Sequence, residues 1–253
     1  MSDFPDRARV VIIGAGIVGN CLAGHLAKLG WTDLVLLDKG PLPNPGGSTG
    51  HASNFIFPVD HSKEMAFLTL VSQQQYEEYG VNTTCGGIEV ARTEERMEEF
   101  RRRMTSATAW GIESELLTPA EVKALVPFIE ENVILGGFHT PSVSVVDSLE
   151  MGTRMRNEAV ETAGCQVFAN TEVLDIETAA GPNATRHVTA VVTDKGRVEC
   201  DHVAVACGVW SPKLAAMAGA TIPLTPAAVS YTHLRAHETS DDISYAVFCL
   251  KRG

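Results

Sequence analysis

Ala8-Arg9-Val10-Val11-Ile12-Ile13-Gly14-Ala15-Gly16-Ile17-Val18-Gly19 is the stretch on which the fold turns. Ala8–Ile13 is a short apolar run and predicts a buried strand. The glycines follow at once, and apolar residues recur at helical spacing from Ile17 to Leu29. Strand, glycine turn and helix in that order are the setting in which a Gly-x-Gly-x-x-Gly loop binds a dinucleotide. Gly14 permits the tight turn, Gly16 lets the backbone approach a pyrophosphate, and Gly19 lets the helix lie close to the strand. The helix start, with the amides of Ile17 and Val18, offers N–H groups and a positive dipole end to phosphates. Leu34–Leu37 predicts a second buried strand, and Asp38 stands at its end. A carboxylate there accepts hydrogen bonds from ribose hydroxyls and repels a 2′-phosphate, which disfavours NADP. Lys39 follows it and is counted with the cofactor contacts. These residues leave FAD and NAD both open, and glycines alone also mark ordinary turns.

Asp38 to Ala52 is a loop rich in Gly, Pro and Ser, with Pro41, Pro43 and Pro45 excluding regular structure. Gly46, Gly47, Ser48 and Thr49 supply N–H and hydroxyl donors suited to a second contact with phosphate or ribose. Composition alone fits a surface loop equally well.

The run Gly46-Gly47-Ser48-Thr49-Gly50-His51-Ala52, taken with the first motif, resembles the FAD-dependent amine oxidoreductases of the D-amino-acid oxidase superfamily. Within it, the chain is similar to dimethylglycine oxidases and dehydrogenases and to sarcosine dehydrogenases. The likeness continues through Gly86–Ala91, Ala109–Glu113, Leu135–His139 and Ala204–Trp210, and covers nearly all of residues 7–228. It implies an α/β fold: a Rossmann-like FAD-binding domain of the glutathione-reductase type with part of an α+β substrate domain. It implies FAD held covalently through an 8α-histidyl bond to His51. Gly47, Ser48 and Thr49 would lie along the second loop, with Ser48 and Thr49 on the isoalloxazine side. The backbone at Val173 would bracket the adenine, and Gly208 would lie near the cofactor. Trp210 would either approach the flavin or cover the sheet. The implied reaction moves a hydride from the carbon beside an amine nitrogen to flavin N5, giving an iminium that is hydrolysed or passed to tetrahydrofolate. The substrate would be a small N-methylated amino acid, and the electron acceptor O2 or an electron-transfer flavoprotein. Other amine oxidases of the superfamily are the alternative, as is an inactive truncated fragment. A nicotinamide enzyme is a further alternative that would have no use for His51.

Composition agrees with a globular chain: 253 residues, 45% hydrophobic and 20% charged. No apolar run of the roughly 18 residues needed for a membrane span occurs, and Met1–Arg7 lacks a secretory apolar region, so the cytoplasm is expected. A net charge of −11 argues against nucleic acid and anionic membrane as partners. The six cysteines show no Cys-x-x-Cys spacing and read as reduced thiols, with no metal site.

Further along, helices are expected at 64–79, 94–110, from the Thr118–Glu121 capping box, and at 146–163. Arg101-Arg102-Arg103, interleaved with glutamates, reads as a solvated salt-bridged face. Strands are expected at 87–92, 133–139, 166–169, 172–177, 187–193, 197–200 and 203–206, with turns at 179–183 and 194–196. Residues 1–50 and 145–218 would form a discontinuous FAD-binding domain, 51–144 a partial substrate domain, and 219–228 the start of its other half. Catalytic residues are expected beyond Ala228. Val229–Thr239 and Ile243–Leu250 look like translations of two consecutive segments of a sequencing-library adapter. Residues 229–253 are therefore set apart as non-native, and Tyr231, His233 and His237 receive no role.

Overall fold

The computed structural model describes residues 4–181, 186–225 and 247–249. In chain order it has β1 (Arg7–Ile13), α1 (Ile17–Lys28), β2 (Leu34–Leu37), β3 (Phe55–Ile56), α2 (Lys63–Glu78), β4 (Asn82–Thr84), β5 (Gly87–Ala91) and α3 (Glu94–Ala109). Then follow β6 (Glu115–Leu117), α4 (Pro119–Leu125), β7 (Gly136–Thr140), β8 (Ser144–Val146), α5 (Ser148–Ala163) and β9 (Gln166–Phe168). The last elements are β10 (Val173–Ala180), β11 (Arg186–Thr193), β12 (Gly196–Val205), α6 (Ser211–Met217) and β13 (Val247–Cys249). The chain has the mixed α/β, Rossmann-like fold expected, in two units. One takes the described residues up to Ala52 and from Ser148 to Thr225; the other takes Ser53–Asp147 with β13.

The first unit is built on a six-stranded sheet of order β10-β11-β12-β1-β2-β9. Strands β12, β1, β2 and β9 run parallel, while β10 and β11 form an antiparallel extension. Alternation along β1 and β2 sends side chains to opposite faces. Val10, Ile12, Leu34 and Leu36 meet Ala23 and Ala27 of α1 and Ala159 of α5. Val11, Ile13, Val35 and Leu37 meet Val173, Val191 and Val198, with Leu214 and Met217 of α6 packed alongside. Glycine brings α1 and α5 together: a Cβ on Gly24 would stand 2.7 Å from Met155 Cε, and one on Gly152 would stand 2.9 Å from Asn20 Nδ2.

The second unit has a four-stranded sheet, β13-β5-β7-β6, and a three-stranded one, β3-β8-β4. Phe100 of α3 stacks on Phe138 of β7, and both are fully buried. The capping box at Thr118 forms as expected and starts α4.

Several expectations are corrected. Residues 131–133 form a 3-10 turn, not strand, because the Glu130 carboxylate accepts the Asn132 N–H; the strand begins at Gly136. Val146 belongs to strand β8, since its N–H is taken by Asn54 O, and the helix starts two residues later at Ser148. The 197–200 and 203–206 strands are one strand, β12, because its parallel ladder with β1 continues through Cys200 and His202. β10 runs on to Ala180 through its pairing with β11, so the turn expected from 179 starts later, and 182–185 lie outside the described residues. Arg101 pairs outward with Glu98, but Arg103 turns inward to Glu89 and Val59 O. Cys21, Cys165, Cys200 and Cys207 are free thiols, whereas Cys85 is in a disulfide. Of the segment set apart at the end of the sequence, Val247–Cys249 is described as a strand antiparallel to β5; the remainder, with Tyr231, His233 and His237, lies outside the described residues.

Leu36 on β2 is fully buried against the sheet's helical face, whereas Leu29 is 76% exposed. Leu36→Ala should lower unfolding free energy by about 2–5 kcal/mol, and Leu29→Ala by no more than about 0.5 kcal/mol. Urea titration followed by circular dichroism separates the two; equal effects would mean that the sheet core is placed wrongly.

Candidate cofactor site

From β1 the chain moves to β2 on one side and returns, much later, to β12 on the other. Such a reversal of strand order opens a crevice at the carboxyl ends of the parallel strands. A cleft of about 390 Å³ lies there, lined entirely by the first unit.

The glycine loop shapes one wall. Gly14 has φ +106°, and a Cβ on it would stand 2.5 Å from Ala206 O at the end of β12. A Cβ on Gly19 would stand 1.8 Å from Gly14 O, so α1 can begin this close to β1 only with glycine there. Asn20, almost fully buried, donates from Nδ2 to Ala15 O at 2.8 Å and holds the loop from behind. The N-cap of α1 is Gly16, which has no side chain to cap it, and the first turn carries no acid. The α1 start therefore has neither a cap from its own N-cap residue nor an acid in its first turn, and its positive dipole end faces the cleft, a setting that favours an anion.

Asp38 joins the loops. Its Oδ2 accepts the Ala15 N–H at 2.7 Å and its Oδ1 the Gly40 N–H at 2.8 Å. A carboxylate oxygen has two lone pairs, so each keeps one for a ribose hydroxyl. The Asp38 carbonyl accepts the Thr171 N–H at 2.8 Å, and Gly40 O accepts the Asn170 N–H at 3.1 Å. These bonds bring Thr171, Glu172 and Val173 to the far wall.

The second loop folds into a 3-10 turn, Ser48–Gly50. Thr49 Oγ1 accepts the Ile17 N–H at 2.9 Å, so that amide is already engaged within the protein. Ser148 Oγ donates to Thr49 O at 2.8 Å. His51 is exposed, with Nδ1 3.0 Å from Gly47 O. A carbonyl oxygen only accepts, so Nδ1 carries a proton in this arrangement.

Gly14, Gly16, Ile17, Val18, Asp38, Lys39, Gly47, Ser48, Thr49, Val173 and Gly208 line the cleft. Gly19 and His51 do not: Gly19 lies beneath the glycine loop, and His51 stands between the lining residues Thr49 and Ala52. Sequence reasoning missed Thr171, Glu172, Cys207, Ser148 and Lys213 as lining residues. None sits in a recognisable motif; each arrives by a backbone bond or a neighbouring element. Trp210 lines the cleft, with Lys39 Nζ 5.4 Å from its ring centroid. Burial, and secondarily the Asp38 charge, pushes the Cys207 thiol up to about 11. Its Sγ lies 3.1 Å from Ile13 O, to which the protonated thiol donates.

The donor set fits a dinucleotide: a helix start without an acid in its first turn for pyrophosphate, a carboxylate for ribose, and apolar walls from Ile13, Val173, Leu214 and Met217 for rings. Among the described residues, no group of three or more His, Cys, Asp or Glu is placed to hold a metal ion, and no helix is long and apolar enough to cross a membrane.

Comparison with known proteins agrees with this geometry. The sequence model of the FAD dependent oxidoreductase family matches residues 9–252. Mitochondrial sarcosine dehydrogenase of Mus musculus is 34% identical over 229 residues, covering 87% of this chain and 25% of that protein. The mitochondrial pyruvate dehydrogenase phosphatase regulatory subunit of Mus musculus is 32% identical over 218 residues, covering 83% of this chain and 24% of that protein. The crystal structure of L-proline dehydrogenase from P. horikoshii superposes with a TM-score of 0.76 at 26% identity, covering 85% of this chain and 57% of the other. The chain spans about a quarter of the length of the curated relatives it matches.

Gly19→Ala should weaken ADP binding by about tenfold or more, read by calorimetry, because the added methyl cannot coexist with Gly14 O. Wild-type affinity would remove the glycine loop from the site. Cys207 should resist iodoacetamide at pH 8 in the folded chain, since its thiolate appears only near pH 11. Peptide mapping after native and urea-unfolded labelling checks this; equal labelling would show an open thiol.

Proposed function

The chain belongs to the FAD dependent oxidoreductase family, and on that premise we propose that it holds FAD in this cleft and serves the oxidation of an N-methylated amino acid such as sarcosine or dimethylglycine. The observation that carries the cofactor assignment is the joining of the α1 start, the Asp38 carboxylate and the Gly47–Thr49 segment around one cleft. Bound FAD would supply the hydride acceptor for the carbon beside the amine nitrogen. The protein's share is to bind and orient it. Gly14, Gly16 and the Val18 amide would hold the pyrophosphate, Asp38 the adenosine ribose, and Thr171–Val173 the adenine. Ser48 and Thr49 face the isoalloxazine side. His51 would supply the covalent link, for which the neutral tautomer with Nδ1–H on Gly47 O leaves Nε2 as the nucleophilic nitrogen.

The resemblance in the loop supports that link, and it extends the proposal to tetrahydrofolate as acceptor of the one-carbon unit and to O2 or an electron-transfer flavoprotein as acceptor of electrons. Residues 229–253 are taken as non-native in this reading, and resequencing the source gene across Ala228 checks it. A second reading, a flavoprotein fold retained without turnover, draws on the similarity to the phosphatase regulatory subunit.

Acid precipitation of the FAD-loaded chain should give a yellow pellet for wild type and a colourless one for His51→Ala. Colour in the wild-type supernatant would refute the covalent link. Anaerobic bleaching of the flavin absorbance by sarcosine or dimethylglycine supports turnover; unchanged absorbance with both amines favours the second reading.

A further inference from the structure

Three features around the second loop belong together. Gly16 leaves α1 without a side-chain cap of its own, yet the Ile17 N–H is capped by Thr49, a residue 32 positions away. The cap has room because residue 16 is glycine: even a Cβ there would stand 3.2 Å from Thr49 Oγ1. From its other side, the Thr49 carbonyl is held by Ser148, the nearly buried first residue of α5. Thr49 is thus fixed at both its hydroxyl and its carbonyl, to two helices that are themselves packed through Gly24 and Gly152. Gly50 fits beneath the same loop, where a Cβ would stand 2.6 Å from the Asn44 amide. Two residues beyond Thr49, the His51 N–H donates to Ser48 O at 3.1 Å and the Ala52 N–H to the same oxygen at 2.9 Å. The only tertiary ties from this turn to the helices run through Thr49 among the described residues' hydrogen bonds.

We propose that Thr49 is the positioning residue for His51: it caps α1 from the second loop and so ties the cofactor-bearing histidine to the rigid frame of α1 and α5. The proposal rests on the covalent-flavin reading for its purpose but not for its structural test. The Thr49 hydroxyl accepts from Ile17, and its own proton finds no acceptor in the protein among the described residues, so it can also meet an anion at the helix start. Placement and anion contact are separable. Thr49→Val removes the cap while returning the Ile17 N–H to the cleft, so it loosens the loop more than it weakens phosphate binding.

The test uses the full chain and Thr49→Val, Thr49→Ser and Ser148→Ala. Amide hydrogen exchange at His51 and Ala52 should quicken about fivefold to tenfold in Thr49→Val, the scale of one lost hydrogen bond. Ser148→Ala should quicken it in the same direction, and Thr49→Ser should keep the wild-type rate. In Thr49→Val, ADP affinity should fall by a smaller factor than exchange rises, because the freed Ile17 N–H takes over the anion contact. With FAD supplied, flavin retained in the acid pellet should fall in Thr49→Val and persist in Thr49→Ser. Unchanged exchange in Thr49→Val, or acceleration in Thr49→Ser equal to that in Thr49→Val, overturns the proposal. So does a loss of ADP affinity as large as the change in exchange, because the hydroxyl would then serve the phosphate and not the loop. A colourless wild-type pellet with accelerated exchange in Thr49→Val sinks the covalent link alone and leaves Thr49 as the anchor of the loop.

Discussion

The carboxylate of Asp38 holds the site together. One oxygen takes an N–H from the glycine loop after β1, and the other takes one from the turn after β2. Without it, the glycine loop and the turn after β2 would lose two of the bonds that place them at the cleft. Hydrogen bonds to a charged acceptor contribute about 1.5–3 kcal/mol each, enough to fix loops whose own burial is slight. The same residue's backbone carbonyl receives Thr171, so the far wall is set from the same point. Asp38 therefore shapes the cleft through the protein's own bonds, so the carboxylate proposed to meet a ribose is already fixed in place.

The second constraint is steric. Gly14, Gly19, Gly24 and Gly152 let β1, α1 and α5 approach to distances that a single methyl would block. Close approach places the α1 start against the end of β12, and it is this placement that turns an ordinary helix terminus into an anion site. Gly16 then gives up a side-chain cap, and the loop at Thr49 replaces it. Capping from a distant segment costs loop-closure entropy, but it makes the two loops one structural unit.

What the sequence discloses follows from how local each determinant is. Ala8–Gly19 and Leu34–Asp38 are readable because strand, turn and helix each follow from adjacent residues, and β1, α1 and β2 lie where the pattern puts them. The Thr118 capping box is equally local. Strands β3, β4, β6 and β8 span two or three residues each, too few for alternation to register, and exist through partners far along the chain. The unbroken β12 is hidden by Asp201 and His202, which look like a turn but lie in register with β1. In the site, Asp38 and the glycines are legible as a motif. Thr171, Cys207 and Lys213 are not, since their places depend on backbone bonds to Asp38 and on how β12 and α6 end. Nothing in residues 16–24 announces that Gly24 is spacing for Met155, because that partner lies on another helix.

Charge gives the last link. The chain carries −11 overall, yet the cleft places Lys39, Lys213 and an uncapped helix start beside Asp38 and Glu172. A cleft concentrates field lines, so these local donors outweigh distant surface carboxylates, which salt screens over about 10 Å at 0.1 M. The cation lies toward the Trp210 end, with Lys39 over the ring, while the helix start faces the Thr49 end. The cleft therefore presents one positive group beside Trp210 and another at the α1 start, which is what the phosphates of the proposed dinucleotide would require.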